Sequence, residues 1–552
     1  MERLSHASPD TKRSKKFDLP FPSVRKTSIT VQDERPQEEC GLLTFYSLSG
    51  ITKTEVEKLF AGAEGIQQRG QQGAGITVHA MNGESFIHRG HGLLDDAFPK
   101  TARDQVMNLG TLRSASVQTR YSTDGGFEKE NLHPIVVGEY EVMANGNFSN
   151  KDALRRQSGK TYDFDPSDTK VWSDVLPTIP GETQDDKIVN AVHGSVGAAS
   201  LVINVGDETQ YVAKDPKGVR PLVLGQMEGE LGTIYVVASE TVALEKINAT
   251  VVRDIRPGEV IKFDSTGMTV LEKGDKSEER MCSLEHAYLS DPDSQVNVTS
   301  NGASPETWPR HGENRTEVGR QMAREEKARQ RIAKKRAEKL GEPYKEFKPD
   351  IVVGMPSSGI PYGKGYAEEM GAVYRQLIEK DPENKTRMFQ ADEEKDQRRA
   401  GIRRKVDILT PDDWAWEDKD VVITEDTMVR GDAAYVLAEI LTELGARLHL
   451  RIGYPQIINP CHLGVNMKTH DELMAYRMNG DVTEIAKEIG AASVEFVSSV
   501  GFVRAIQGDH FEETSKPKDV FDINRMCGGC VTKKYPYPPA IANASLLTAQ
   551  AS

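Results

Sequence analysis

Apolar residues follow two different rules in the two halves of this chain, and no single sheet satisfies both. From Cys40 to about residue 280, short runs such as CGLLTFYS, GAGITVHA, EVMANGNFSN, GAASLVINV, TIYVVASE and EVIKFD are cut by Gly and Asn turns. That is the pattern of a domain dominated by sheet. One segment, TKTEVEKLFAGAEGIQQRG, instead has the apolar spacing of an amphipathic helix. From residue 349 the plan becomes strand, loop, helix: PDIVVGMPSSG, then DVVITEDTMVRGDAAYVLAEILTELGA, then the strand RLHLRIGY. Such alternation predicts a parallel sheet with its loops at the carboxyl edge. The 552 residues are enough for two or three domains, so the expectation is an α+β domain followed by an α/β domain.

Between these halves, residues 295–348 read as a loop and then a highly charged helix, VGRQMAREEKARQRIAKKRAEKLGEPYKEF. Its Arg and Lys residues could meet phosphate or nucleic acid, but a solvated helix laced with i,i+4 ion pairs is the favoured reading. The net charge of −14 argues against general binding to nucleic acid or membrane surfaces. No run of 18 apolar residues occurs, so no transmembrane helix is expected. Residues 1–39 lack the apolar core of a secretory signal, and their acids argue against a transit peptide. They read as a disordered tail unless Cys40 changes their meaning. The five cysteines, an odd and sparse set, fit a reducing compartment, here the cytoplasm, better than a disulfide framework.

A cysteine at a domain start can be a nucleophile or a buried structural residue. The segments that follow Cys40 decide between these. EECGLL, IQQRGQQGAGI, TRYSTDGG, NLHPI, ANGNFSN and PSDT succeed one another between Glu38 and Asp168. The ordered set resembles the class II glutamine amidotransferase domain, an N-terminal-nucleophile fold. The resemblance implies that Cys40 attacks the side-chain amide of glutamine, with its own α-amino group as base. An amine of that kind titrates near pH 8, so it can move protons at working pH. Residues 1–39 then become a propeptide, excised autocatalytically. Asn145 and the N–H of Gly146 form the oxyanion hole. Arg120 grips the α-carboxylate of glutamine, Asp168 binds its α-ammonium, and Arg69 and Gly70 line the pocket. Lys170 and Ala144 stand where family members often have Glu and His.

In the second half, VVITEDTMVRGDAA resembles the phosphoribosyltransferase signature of type I enzymes. On physical grounds alone, an apolar strand, two acids and a glycine turn before a helix offer free N–H groups to an anion. An ordinary β–α turn with acidic surface residues reads equally well. GMPSSGIPYGKGYAEEMGA resembles the pyrophosphate loop and its helix. RMFQADEEKDQRRAGIRRKVD resembles the flexible loop that closes over substrate. The resemblance implies that Glu425 and Asp426 hold ribose hydroxyls or Mg²⁺. It also places Thr427, Arg430 and Gly431 on the 5′-phosphate of phosphoribosyl pyrophosphate (PRPP), and Ser358, Gly359 and Arg387 elsewhere on PRPP. Asp432 replaces a phosphate-binding Thr, and Ser357 stands where Asp is common.

CGGC, at Cys527 and Cys530, is by itself open to redox, zinc and iron–sulfur roles. Cys282 in MCSLEHAYLSDPDS and Cys461 in YPQIINPCHLGVNM lie in segments that, with CGGC, resemble the cluster-bearing places of the iron–sulfur amidophosphoribosyltransferase family. Four thiolates suit a [4Fe–4S] cluster with a structural role; a Cys₄ zinc site competes. Asp291 stands where that family usually has Arg.

The resemblance spans residues 38–537. It implies a propeptide over 1–39, an amidotransferase domain over 40–280, a junction with a helical insertion over 281–348, a phosphoribosyltransferase domain over 349–500 and a C-terminal segment over 501–552. It implies formation of 5-phosphoribosylamine from glutamine and PRPP, the committed step of purine synthesis. Purine nucleotides as feedback ligands and a homo-oligomer are also expected. Two rivals remain: delivery of ammonia to another phosphoribosyl acceptor, and a non-catalytic nucleotide-binding regulator.

Overall fold

The computed structural model describes residues 40–122, 125–126, 128–298, 303–380, 406–408, 414–467 and 469–538. The predicted propeptide, Arg387 and nearly all of the predicted closing loop lie outside the described residues.

The first domain stacks two antiparallel sheets. One has seven strands in the order Thr250–Asp254, Val223–Glu228, Thr233–Ala238, Gly41–Ile51, Leu112–Arg120, Gly73–Ala80 and Ser85–His91. The other has six, in the order Gly267–Glu272, Val260–Asp264, Thr209–Lys214, Gly197–Val205, Tyr140–Phe148 and Ile135–Val137. The strand that begins beside Cys40 is buried on both faces, and the period of two sorts its side chains. Leu42 and Tyr46 point into the core between the sheets, with Met143, Val202 and Val212. Leu43 and Phe45 point the other way, onto the helix Lys53–Glu64. On the far side, the helices Asp168–Val175 and Gln184–His193 cover the second sheet through Trp172, Val175 and Ile188. The layers therefore run helix, sheet, sheet, helix.

The second domain is built on a parallel sheet ordered Ile351–Gly354, Asp420–Glu425, Arg447–Ile452 and Ser493–Phe496. The helices Gly359–Met370 and Asp432–Glu443 start where the first two strands end. Both predicted phosphoribosyl loops thus lie at one carboxyl edge.

The charged insertion departs from the solvated helix expected of it. His311–Leu340 is one helix of 30 residues. Its first half is core: Arg315, Val318, Met322 and Ala323 are buried, and Val318, Met322 and Ala323 pack with Tyr362 and Tyr366 of Gly359–Met370. Only its second half is largely solvated. The abundant charge hid a narrow buried stripe at helical spacing, which tertiary packing selects. Ion pairs do occur along it, at a spacing of three rather than the expected four, as at Arg320–Glu317 and Arg329–Glu326. No helix among the described residues is long and apolar enough to cross a membrane.

Candidate active sites

Cys40 enters the strand Gly41–Ile51 at the rim of the first sheet, half-buried. Its backbone nitrogen lies 3.3 Å from Asn145 Oδ1, and its Sγ lies 3.9 Å from the Tyr121 carbonyl. Asn145 is fully buried in the strand Tyr140–Phe148 of the other sheet, and its Nδ2 has no hydrogen-bond partner among the described residues. A buried donor left open costs about 1–3 kcal/mol unless something accepts from it. It belongs to the same amide whose oxygen meets the Cys40 nitrogen. Gly146 follows with φ of +143°, and a Cβ there would lie 1.8 Å from the Ala198 carbonyl oxygen, so only glycine fits. These features bring together a thiol, a nitrogen hydrogen-bonded to an amide oxygen, and an unspent N–H donor.

The residues expected to hold the amino acid flank them. Arg120 ends the strand Leu112–Arg120, is buried, and donates from Nη2 to Ser122 Oγ at 3.3 Å. Gln72 receives the Ser122 N–H at 2.7 Å and donates its own N–H to the Arg120 carbonyl at 3.0 Å. Asp168 opens the helix Asp168–Val175, and its Oδ2 accepts the Phe148 N–H at 2.6 Å. Stacking of Trp172 on Phe148, 4.9 Å apart and 6° from parallel, pins that helix to the strand Tyr140–Phe148. Gly70 permits close packing, since a Cβ would sit 2.4 Å from the Thr119 backbone carbon. His133 accepts the Ala144 N–H at Nδ1 (3.1 Å); burial, then Arg120 and Arg89, keep it neutral well below the usual histidine range. Of the two departures, Ala144 supplies backbone to that contact, and Lys170 pairs with Asp174 away from the thiol.

Arg69, expected to line the pocket, turns its guanidinium into the protein. Its guanidinium is fully buried, paired with Glu240 at 2.6 Å and Glu285 at 3.1 Å, while its Nε holds the Cys40 carbonyl at 3.3 Å. The sequence reading missed both glutamates. Neither stands in a motif, and their meeting with Arg69 depends on chain segments more than 170 residues away.

At the second site, Asp426 is fully buried, accepting from Ser358 Oγ and, at 2.8 Å, from Thr427 Oγ1. It ties the loop before Gly359–Met370 to the loop before Asp432–Glu443. Glu425 is the more exposed acid. Gly431 takes φ of +85° and caps Asp432–Glu443, giving the turn the left-handed backbone that favours glycine. Arg430 is ion-paired with Glu472. Burial alone would raise the Glu472 carboxyl; Arg430 overrides it and holds it below the ordinary value. Asp432 is buried in the first turn of its helix.

The remaining cysteines converge from three segments. Met281–Cys282 pairs in parallel with Met526–Cys527. The Cys530 carbonyl receives the N–H groups of Ile458 and Asn459, just before Cys461. Cys282, Cys527 and Cys530 share one core cluster, with Cys461 packed against it, and all are free thiols. Burial pushes the Cys530 thiol up to about 12 and raises Cys282 and Cys527 as well. Four sulfurs in so apolar a setting suit a group that brings its own positive charge. A single tetrahedral zinc would draw its thiolates to about 2.3 Å from one point. Among the described residues, no three His, Cys, Asp or Glu side chains are grouped to hold one ion.

Fold and sites together define a glutamine amidotransferase joined to a phosphoribosyltransferase. Comparison with known proteins makes this more specific. No protein-family model matches the chain. It is 30% identical to amidophosphoribosyltransferase of Bacillus subtilis, over 90% of this chain and 94% of that one. It is 31% identical to the chloroplastic amidophosphoribosyltransferase of Glycine max, over 92% and 80% of the two chains, and 31% identical to the amidophosphoribosyltransferase of Methanocaldococcus jannaschii, over 90% and 97%. A solved glutamine PRPP amidotransferase of B. subtilis, complexed with ADP and GMP, superposes with a TM-score of 0.70 at 28% identity, covering 90% of this chain and 97% of that one. A structure described as the allosteric regulatory enzyme of purine biosynthesis gives 0.71 at 28% identity, covering 92% and 100%. The chain belongs to the amidophosphoribosyltransferase family.

Proposed function

We propose that the protein converts glutamine, PRPP and water into 5-phosphoribosylamine, glutamate and pyrophosphate, the first step of purine biosynthesis. The observation that carries this is the open Asn145 Nδ2 beside Cys40, in a chain whose backbone nitrogen at Cys40 already rests on Asn145 Oδ1. In the full-length chain that nitrogen is a peptide N–H. Excision of residues 1–39 leaves an α-amine in its place, and the amine takes the thiol proton. The thiolate attacks the amide carbon while Asn145 Nδ2 and the Gly146 N–H meet the oxyanion. The amine's proton goes to the departing ammonia, and water then hydrolyses the thioester to glutamate. Ammonia passes inside the protein to C1 of the ribose, where pyrophosphate leaves.

Glu425 and Asp426 would hold Mg²⁺, which when bound neutralises charge developing on the leaving pyrophosphate. Thr427, Arg430 and Gly431 would hold the 5′-phosphate, and Ser358 and Gly359 the pyrophosphate end. Cys282, Cys461, Cys527 and Cys530 would hold a [4Fe–4S] cluster that pins the C-terminal segment to the junction. Purine nucleotides are expected as feedback ligands, since the B. subtilis neighbour carries ADP and GMP. We place the protein in the cytoplasm as a homo-oligomer. Asp432 and the Arg430–Glu472 pair favour, as a second reading, a different phosphoribosyl acceptor.

The test has two parts. Mass spectrometry of the purified chain should find Cys40 at its N-terminus, and glutamine with PRPP and Mg²⁺ should give equal glutamate and pyrophosphate. Full glutaminase activity in a chain still beginning at Met1 would sink the amine as base. Glutamate release without PRPP-dependent pyrophosphate would sink PRPP as acceptor and leave the second reading.

A further inference from the structure

Glu285 opens a π-helical turn, Glu285–Leu289, in the junction between the domains, and none of it is exposed. Its carboxylate is the meeting point of two buried arginines. Arg69 grips it with both terminal nitrogens, Nη2 to Oε1 at 3.1 Å and Nη1 to Oε2 at 3.2 Å. Arg220 Nη1 reaches Oε1 at 3.4 Å, and Ser290 Oγ donates to Oε2 at 2.7 Å. Glu240 supplies the second negative charge, so two guanidinium groups face two carboxylates. Burial alone would raise the Glu285 carboxyl, but Arg69 and Arg220 hold it well below the usual carboxylate range. Arg69 also touches the residue that bears the thiol, since its Nε donates to the carbonyl of Cys40.

The turn that carries Glu285 is also clamped from the other half. Tyr362, on the helix that follows the pyrophosphate loop, donates its hydroxyl to the Ala287 carbonyl at 2.9 Å. Arg315 holds the carbonyls of His286 at 2.9 Å and Ser290 at 2.6 Å. Arg220 Nη2 reaches the Leu463 carbonyl at 3.3 Å, beside Cys461.

We infer that Glu285 is a positioning residue for the glutaminase reaction: it fixes the Arg69 guanidinium, and through Arg69 Nε it fixes the carbonyl, and hence the nitrogen and thiol, of Cys40. The inference rests on Cys40 being the nucleophile. A fork held by two parallel hydrogen bonds loses its fixed orientation when one acceptor becomes a donor. Misplacement of a reacting group by an ångström costs about 10²-fold in rate.

Glu285→Gln, which keeps shape and removes charge, is the test, measured on the mature protein with Mg²⁺. Glutamate release should lose about 10²-fold in kcat, with the KM for glutamine within about two-fold because Arg120 and Asp168 are untouched. Phosphoribosylamine formation from ammonia and PRPP should be unchanged. Glu285→Asp should recover much of the rate. In a cycle with Arg69→Gln, the double variant should be no slower than Arg69→Gln alone. A wild-type kcat in Glu285→Gln, an effect confined to KM, equal loss of the ammonia-dependent rate, or full additivity with Arg69→Gln would each overturn the inference. If Glu285→Gln does not fold, Glu285→Asp is read by the same criteria, a wild-type kcat or additivity again overturning it. A wild type that makes no phosphoribosylamine from ammonia would overturn the acceptor reading instead, and the glutamate-release arm would still decide the role of Glu285.

Discussion

The two halves of the molecule keep their chemistry in different kinds of structure. The candidate glutamine site lies on strands from both sheets of the first domain, and Cys40, Arg120 and Asn145 sit on or beside strands whose registers are continuous there. The phosphoribosyl site is assembled on loops at the edge of a parallel sheet. The departures from the family pattern distribute accordingly. In the first half, Ala144 and Lys170 leave the thiol's surroundings intact. In the second, Asp432 sits in the first turn of the helix after Gly431, and Arg430 is engaged by Glu472. A strand-borne site demands side chains set to a fraction of an ångström, and one change there removes the chemistry. A loop-borne phosphate site draws much of its affinity from backbone N–H groups and a helix terminus, so side chains can drift before function is lost.

That contrast can be broken or sharpened by experiment. Cys40→Ser should reduce glutamate release by about 10³-fold or more while sparing ammonia-dependent phosphoribosylamine formation. Parallel loss of both activities would mean that the halves are not separable. Asn145→Ala should cost about 3–4 kcal/mol of barrier lowering, seen as a fall in kcat with little change in the KM for glutamine. A large rise in KM alone would assign Asn145 to substrate binding instead.

The junction offers a third test, by pH. His286 is buried, and burial, with a further contribution from Arg315 opposed by Glu285, lowers it from 6.5 to about 4. The unfolded chain therefore binds a proton near pH 6.5 that the folded chain refuses until about pH 4. Stability from this group is full above about pH 6.5 and is lost as pH falls towards 4, by roughly 3 kcal/mol. Urea unfolding at several pH values should show the slope, and His286→Gln should flatten it; an unchanged slope would remove His286 as its source. The smallest effect is expected at Asp432. An acid in the first turn complements the helix dipole by about 0.3–1 kcal/mol, yet opposes a phosphate. Asp432→Thr should lower the KM for PRPP several-fold at a small cost in thermal stability. A higher KM would show that the loop has been rebuilt around the carboxylate.

Much of this was legible in the chain itself. The ordered segments from Glu38 to Asp168 announce the first fold because each carries a turn or a reactive residue at a defined point along a strand. The strand–loop–helix units after residue 349 announce the second through their period. The buried stripe of His311–Leu340 was not legible, because charged residues outnumber the few that pack. Nor was the true setting of Arg69, since an isolated Arg in a motif gives no sign of where its guanidinium points.

The sequence alone determined which two folds are joined and which segments carry the candidate residues of each. Those features are local: hydrophobic period, turn chemistry and reactive side chains are written in neighbouring residues. Only the tertiary structure decided that Asp426 faces Ser358, that Tyr362 reaches the Ala287 carbonyl, and that Glu285 receives both Arg69 and Arg220. Those depend on burial of charge and on contacts between segments far apart in the chain, and a buried carboxylate takes whichever cations the completed core brings to it.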